Sequence, residues 1–202
     1  MHELSLYRSV LGAEFEKLTP VLQRHYDVEP GRTVILEGVM DAWNRFPMLR
    51  LAIPFLPRQQ KNVPVTATLR GVRDHKGRVC LEWVREFRYV SGVLKSTSLH
   101  QPPPRPLVVP SILESFVQRY RPKVGLTLMI DPSAEGNALA TVSVGPQYLI
   151  GGLRMWKLPG AAHLQVDGAE HTIGGDEIYS EVTVRHPILG RVFGYSGRLK
   201  IH

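Results

Sequence analysis

Cysteine is almost absent from this chain: Cys80 stands alone among 202 residues. One thiol cannot close an intrachain disulfide or supply a thiolate metal cluster, so neither a disulfide scaffold nor a zinc-finger architecture is open to it. Long apolar runs are missing too. The best stretch, Phe46 to Leu56, contains Arg50 and two prolines and falls well short of the roughly 20 residues a spanning helix needs, so no membrane span is expected. The opening Met1-His2-Glu3-Leu4-Ser5 places an acid where a secretory segment has a basic end, and the expected location is the cytoplasm.

Clustered charge is a further absence. The formal net charge is +7 with a pI near 9.8, yet lysine and arginine are scattered rather than gathered into the stripe or patch of a nucleic-acid footprint, and nucleic acid is not the expected partner. What the chain does have is ordinary globular composition, 43% hydrophobic and 21% charged residues, in a length that suits a single domain over residues 1–202.

Periodicity divides the chain in two. In residues 1–30, Leu4, Tyr7, Leu11, Phe15, Leu18 and Leu22 recur at steps of three and four, predicting one amphipathic helix, or two with a break at Gly12 or Pro20. Residues 31–202 read as strands. A first strand is expected over about Thr33 to Ala42, and Asn44 to Leu56 as a short helix or wrapped loop. From Val63 the period becomes two: Val63, Val65, Ala67 and Leu69 share one face, Asp74-His75-Lys76-Gly77 reverses the chain, and Val79, Leu81, Trp83, Phe87 and Tyr89 return on the same side.

A weaker strand from Ser91 to Gln101 precedes the proline run Pro102 to Pro106, which is expected to be a loop across one end of the sheet. Strands follow at Lys123–Ile130 and Ala138–Val144. A hairpin about Asp167-Gly168 is expected within His163–Ile173, then a strand with Ile178, Val182 and Val184 inward, a turn at Pro187–Gly190, and a last strand offering Phe193, Tyr195, Leu199 and Ile201. The fold class is therefore α+β, mainly β: an antiparallel meander of about nine or ten strands curled into a barrel or half-barrel, with an N-terminal amphipathic helix packed on it. No βαβ spacing occurs, which argues against a parallel nucleotide-binding sheet.

Several of these segments together resemble a known family. Leu11-Gly12 with Phe15, Leu18, Pro20 and Leu22, then Val63-Pro64-Val65, Trp83-Val84-Arg85-Glu86-Phe87, and His186-Pro187-Ile188-Leu189-Gly190-Arg191-Val192-Phe193 with Tyr195, Gly197 and Leu199 look like family 4166 of the bacterial domains of unknown function. Members of that family occur alone or joined to reductase-like dinucleotide domains resembling saccharopine dehydrogenase. The resemblance thus implies a bacterial protein and a reductase as a conceivable partner, and it transfers no catalytic residue.

The catalytic signatures searched for are not met. Gly194-Tyr195-Ser196-Gly197-Arg198 departs from a nucleophile elbow at Arg198 and sits inside an expected strand. Gly151-Gly152 and Gly174-Gly175 lack the following helix that phosphate loops require and read as turns. The eight histidines show no ligand pairing; a turn at Asp167-Gly168 would send His163 and His171 to opposite faces, so no metal and no cofactor are expected. His186 falls on an apolar face and reads as a satisfied core histidine.

Arg85 is the exception. The alternation that turns Trp83 and Phe87 inward turns Arg85 inward as well, and a buried guanidinium demands an anionic or polar partner. That partner is either a glutamate on a neighbouring strand or the head group of a ligand whose apolar part lies against Trp83, Phe87, Phe193 and Tyr195. The leading expectation is a non-catalytic module binding an apolar or amphipathic small molecule or a partner protein. The alternatives are an enzyme acting on a lipid-like or carbonyl substrate, with His186 or a carboxylate moving protons, and an accessory module of a reductase.

Overall fold

The computed structural model describes residues 4–48, 56–102, 108–116, 123–151 and 154–202. The proline run from Pro103 to Pro106, most of the segment between Asn44 and Leu56, and the Gly152 half of the Gly151-Gly152 turn lie outside these residues.

The N-terminal segment forms α1 (Leu6–Leu11), a 3-10 helix (Gly12–Lys17) and α2 (Pro20–Tyr26). Gly12 ends α1 at φ 55°, and Pro20 opens α2 at a first-turn position where its missing N–H costs nothing. The single apolar stripe survives both interruptions: Leu6, Tyr7, Val10, Leu11, Phe15, Leu18, Val21, Leu22 and Tyr26 are all buried. Ser5 and Arg8 tie the two helices together through Asp27, at 2.7 Å from Ser5 Oγ and 2.8 Å from Arg8 Nη2.

Eleven strands follow among the described residues: β1 (Thr33–Asn44), β2 (Gln60–Arg73), β3 (Val79–Tyr89), β4 (Gly92–His100), β5 (Val108–Phe116), β6 (Lys123–Pro132), β7 (Ala138–Gly151), β8 (Arg154–Lys157), β9 (Gln165–Gly174), β10 (Glu177–His186) and β11 (Gly190–Ile201). They form one sheet in the order β6-β5-β4-β3-β2-β1-β11-β10-β9-β7-β8, every pairing antiparallel, and β6 also pairs with β7. The first and last strands thus meet side by side, Gly38 opposite Leu199, and the meander curls over one inner face.

Closure is partial. β7 and β9 pair only through Ala138–Val142 against His171–Asp167; past Val142, β7 continues with β6 and then β8. The expected antiparallel curl is present, but the sheet is not a barrel closed along its length. Two strands escaped the sequence reading. In β5, Pro110 sits where a ladder donor is wanted, and β8 is four residues long, all exposed.

The hairpin expected at Asp167-Gly168 does not exist. β9 runs straight through both residues, with Gly168 paired to Val182 on one side and Thr141 on the other. A Cβ there would meet Thr141 Oγ1 at 2.5 Å, so this glycine serves close strand packing and not a turn.

The helices dock through the β6–β7 turn. Gly136, at φ 68°, brings its backbone so near the chain that an added Cβ would lie 1.8 Å from the Lys17 carbonyl oxygen, and Thr19 N–H donates to Gly136 O at 2.9 Å. Gly136→Ala is expected to destabilise the protein by about 2–4 kcal/mol, since left-handed strain and a backbone collision act together. Urea unfolding checks it; an unchanged midpoint would show that the helical segment docks elsewhere.

Candidate functional site

The inner face of the sheet lines a cavity of about 230 Å³ that is partly open to solvent. Strand alternation sets its walls in rows: Arg85 lies between Ala67 and Ser96, Trp83 between Leu69 and Ser98, and Phe87 between Val65 and Leu94. On the opposite side Val182 faces Tyr195 and Val184 faces Phe193. Tyr7 of α1 and Tyr26 of α2 line the same space, so the helices cap one end.

Five of the six residues singled out from the sequence therefore come together. Trp83, Arg85, Phe87, Phe193 and Tyr195 all line the cavity, with the Phe87 and Tyr195 rings 5.0 Å apart. His186 does not join them. It stands at the β10–β11 turn, half-exposed, where its Nδ1 accepts from the backbone N–H groups of Ile188 and Leu189 at 3.2 and 3.3 Å. The expected core histidine is a turn cap, placed where the pairing loses regularity after Val184. Gly194–Arg198, likewise, lies within β11 and not at a strand-to-helix turn.

Arg85 is half-buried, with its guanidinium carbon 3.8 Å above the Trp83 ring. Among the described residues that stacking is its direct contact, and no hydrogen bond or ion pair joins it. Cation–π stacking is worth about 0.5–2 kcal/mol and leaves the in-plane N–H donors unused. Among the described residues no glutamate of the neighbouring strands β2 and β4 pairs with it, so the partner weighed from the sequence is not found; the glutamate that acts on it does so through charge alone, from a strand that is not its neighbour.

That glutamate is Glu170 on β9, buried at 5% exposure. Tyr26 Oη donates to its Oε2, Ser180 Oγ donates to its Oε1 at 3.1 Å, and His25 Nε2 lies 3.0 Å from Oε2. Burial alone would raise its pKa; the His25 charge and contact, the Tyr26 bond and the more distant Arg85 charge outweigh this and hold the carboxyl below its usual range. A second buried pair adjoins it: Tyr7 Oη and His100 Nδ1 are 2.9 Å apart. Burial, with Arg85 adding to it, pushes His100 down to about 3, so the imidazole is neutral where it shares its hydrogen bond with the Tyr7 hydroxyl. Burial also raises Tyr7 and Tyr26 above the ordinary phenol value.

Several polar atoms here have no partner among the described residues. Ser98 Oγ, Trp83 Nε1 and His25 Nδ1 are buried and unbonded. Among the described residues no three His, Cys, Asp or Glu side chains converge as a metal set, and no helix is long and apolar enough to cross a membrane.

Most of these features lie within the part of the chain that matches a family model. The model of the family described as Domain of unknown function (DUF4166) matches residues 18–199. The chain belongs to that family. The matched span holds all eleven strands but for the last residues of β11, together with α2, Glu170, Arg85 and the cavity wall. No curated protein and no solved structure matches the chain.

Sequence reasoning missed Glu170, Ser180, His25 and His100. Two of them carried a signal: Ser180 alternates with Ile178 and Val182, and once β9 is one strand Glu170 alternates with Val166 and Gly168 on the inner side. The spurious hairpin concealed that row. For His25, which sits on a two-turn helix, no local pattern points to the cavity.

Proposed function

We propose that this DUF4166 protein is a non-catalytic binding module whose curled sheet acts as a half-barrel container for an amphipathic small molecule. The observation that carries the reading is Arg85: a guanidinium among the lining of a largely apolar cavity, stacked on Trp83 and with its hydrogen-bond donors unused among the described residues. An unpaired cation in such a place costs stability, whereas an incoming anion would gain two charge-assisted bonds at once. Concave, mostly apolar sites with a few placed polar groups are where small molecules bind.

The polar groups beside the cavity suit binding better than proton transfer. A general base is most useful with a pKa near the working pH, and Glu170 is driven the other way by its three partners. Tyr7 and Tyr26 hold their protons more firmly than free phenols do. This cluster keeps its protons in place.

Native mass spectrometry after gentle purification, with displacement of anilinonaphthalenesulfonate by short amphiphiles, tests the proposal. Arg85→Ala is expected to weaken binding by roughly 30-fold or more, since losing one desolvated charge contact costs about 2–5 kcal/mol. The variant should lose no more stability than the roughly 0.5–2 kcal/mol of the Trp83 stacking, because no ion pair is broken. A destabilised Arg85→Ala with unchanged displacement would make Arg85 structural, and the absence of both a co-purifying ligand and any displacement would remove the ligand altogether.

A further inference from the structure

Resting on that reading, we propose that the ligand is a compact monocarboxylate with a second acceptor oxygen beside its head, such as a 2-oxo acid. Three features of the wall point to it.

The first is charge. Arg85 is the one charged cation among the described cavity-lining residues, His100 being neutral, and the ionised Glu170 lines the same space. Glu170 is already held by His25 and Tyr26, which leaves the Arg85 guanidinium to meet one negative charge on the ligand, while Glu170 and the exposed Glu181 on the same wall repel a second one. A phosphate monoester, with nearly two charges at neutral pH, would remain undercompensated.

The second is shape. Trp83 covers one face of the guanidinium at 3.8 Å, so the remaining donors point along its planar edge. That edge matches a flat carboxylate through two parallel bonds. The body of such an acid would lie against Phe87, Leu94, Val184, Phe193 and Tyr195, in a space of about 230 Å³ that favours a short branched or aromatic group over a long lipid chain.

The third is a pair of donors that no described residue satisfies. Ser98 stands opposite Trp83 in the β3–β4 register, one row along from Arg85 and Ser96. Ser98 is 1% exposed and Trp83 5% exposed, and both Ser98 Oγ and Trp83 Nε1 lack partners. Each such group costs about 1–3 kcal/mol when left unmade. Because Arg85 folds back over the indole, these donors lie beside the place where the head group would dock. An acceptor oxygen next to the carboxylate would satisfy them, and buried polar groups discriminate strongly against ligands that leave them unpaired.

Isothermal titration with 4-methyl-2-oxopentanoate, 4-methylpentanoate, isopentyl phosphate and isopentyl alcohol tests this. The oxo acid is expected to bind roughly tenfold more tightly than the plain acid, and both acids at least tenfold more tightly than the ester or the alcohol. Ser98→Ala removes a hydroxyl that has no partner in the free protein, so it should fold at least as stably while losing much of the oxo-acid preference. Equal or tighter binding of the ester or the alcohol would overturn the carboxylate assignment and leave the binding reading intact. Equal affinity for the two acids, or a preference that survives Ser98→Ala, would overturn the second acceptor. No heat from any of the four, together with no displacement of anilinonaphthalenesulfonate, would remove the binding reading itself.

Discussion

Acidification from pH 6.5 to about 3 should strip the protein of about 5 kcal/mol through His100 alone. Its folded pKa is about 3 against an ordinary 6.5, and each unit of difference corresponds to about 1.4 kcal/mol. The folded pKa is depressed, so below pH 6.5 the unfolded chain takes up a proton that the native chain refuses. Stability therefore falls with pH. The contribution is intact above about 6.5, declines by about 1.4 kcal/mol per pH unit below it, and is exhausted near pH 3. Against a total of roughly 5–15 kcal/mol for a domain of ordinary stability, that is enough to bring unfolding within reach.

A second limb begins lower. Glu170 and Asp27 also have depressed folded values, Glu170 held by His25, Tyr26 and Arg85, and Asp27 by Arg8 and Ser5. Their stabilisation is complete above the ordinary carboxylate range and is lost as pH falls through their folded values. Between pH 6.5 and about 5.5 these carboxylates contribute little slope, so that window isolates the imidazole. Urea unfolding at half-unit steps, on the parent and on His100→Gln, provides the measurement. The variant keeps an amide that can either donate to or accept from Tyr7 but cannot take up the proton, and its slope should be shallower by about 1.4 kcal/mol per pH unit. Equal slopes in the two proteins would show that His100 is accessible to protons in the native state.

The route from sequence to this site was uneven for physical reasons. Strand alternation has a period of two and reports directly which side chains share a face; from it alone Trp83, Arg85 and Phe87 fall in one row, and Phe193 with Tyr195 in another. The same rule misled at His186, where the ladder becomes irregular as the strand approaches its turn. At Asp167-Gly168 a dipeptide that favours turns was overridden by tertiary packing, because Gly168 is needed where β7 and β10 both press on β9. That error hid Glu170. The helical floor was illegible for a different reason: the stripe from Leu6 to Tyr26 announces an amphipathic segment, but which groove receives it depends on contacts such as Gly136 with Lys17, over a hundred residues apart in the chain. What an unpaired Arg85 has to answer to could be asked from the sequence, and only the packed interior shows that Glu170 is already engaged elsewhere.

Glu170→Ala should be the most damaging single substitution in the floor of the cavity, at about 3–5 kcal/mol. Removing the carboxylate leaves the fully buried His25 with no anion at 3.0 Å, and it deprives the Tyr26 hydroxyl and Ser180 of their acceptor. These losses act together because one carboxylate joins α2 to β9 and β10, so the helical cap loosens as the pair breaks. Glu170→Gln separates shape from charge: the amide keeps a carbonyl for Tyr26 and fills the space, but places no charge beside His25. It should recover part of the loss, leaving roughly 1–3 kcal/mol. Urea unfolding gives the ordering, and near-ultraviolet circular dichroism of Trp83, whose ring centroid lies 5.3 Å from that of His25 and 6.3 Å from that of Tyr26, reports whether the floor keeps its packing. If alanine and glutamine cost the same, the charge carries the interaction and the hydrogen bonds add little. If neither costs more than about 1 kcal/mol, the cap is held by the apolar stripe alone, and the buried cluster is free to serve the ligand and not the fold.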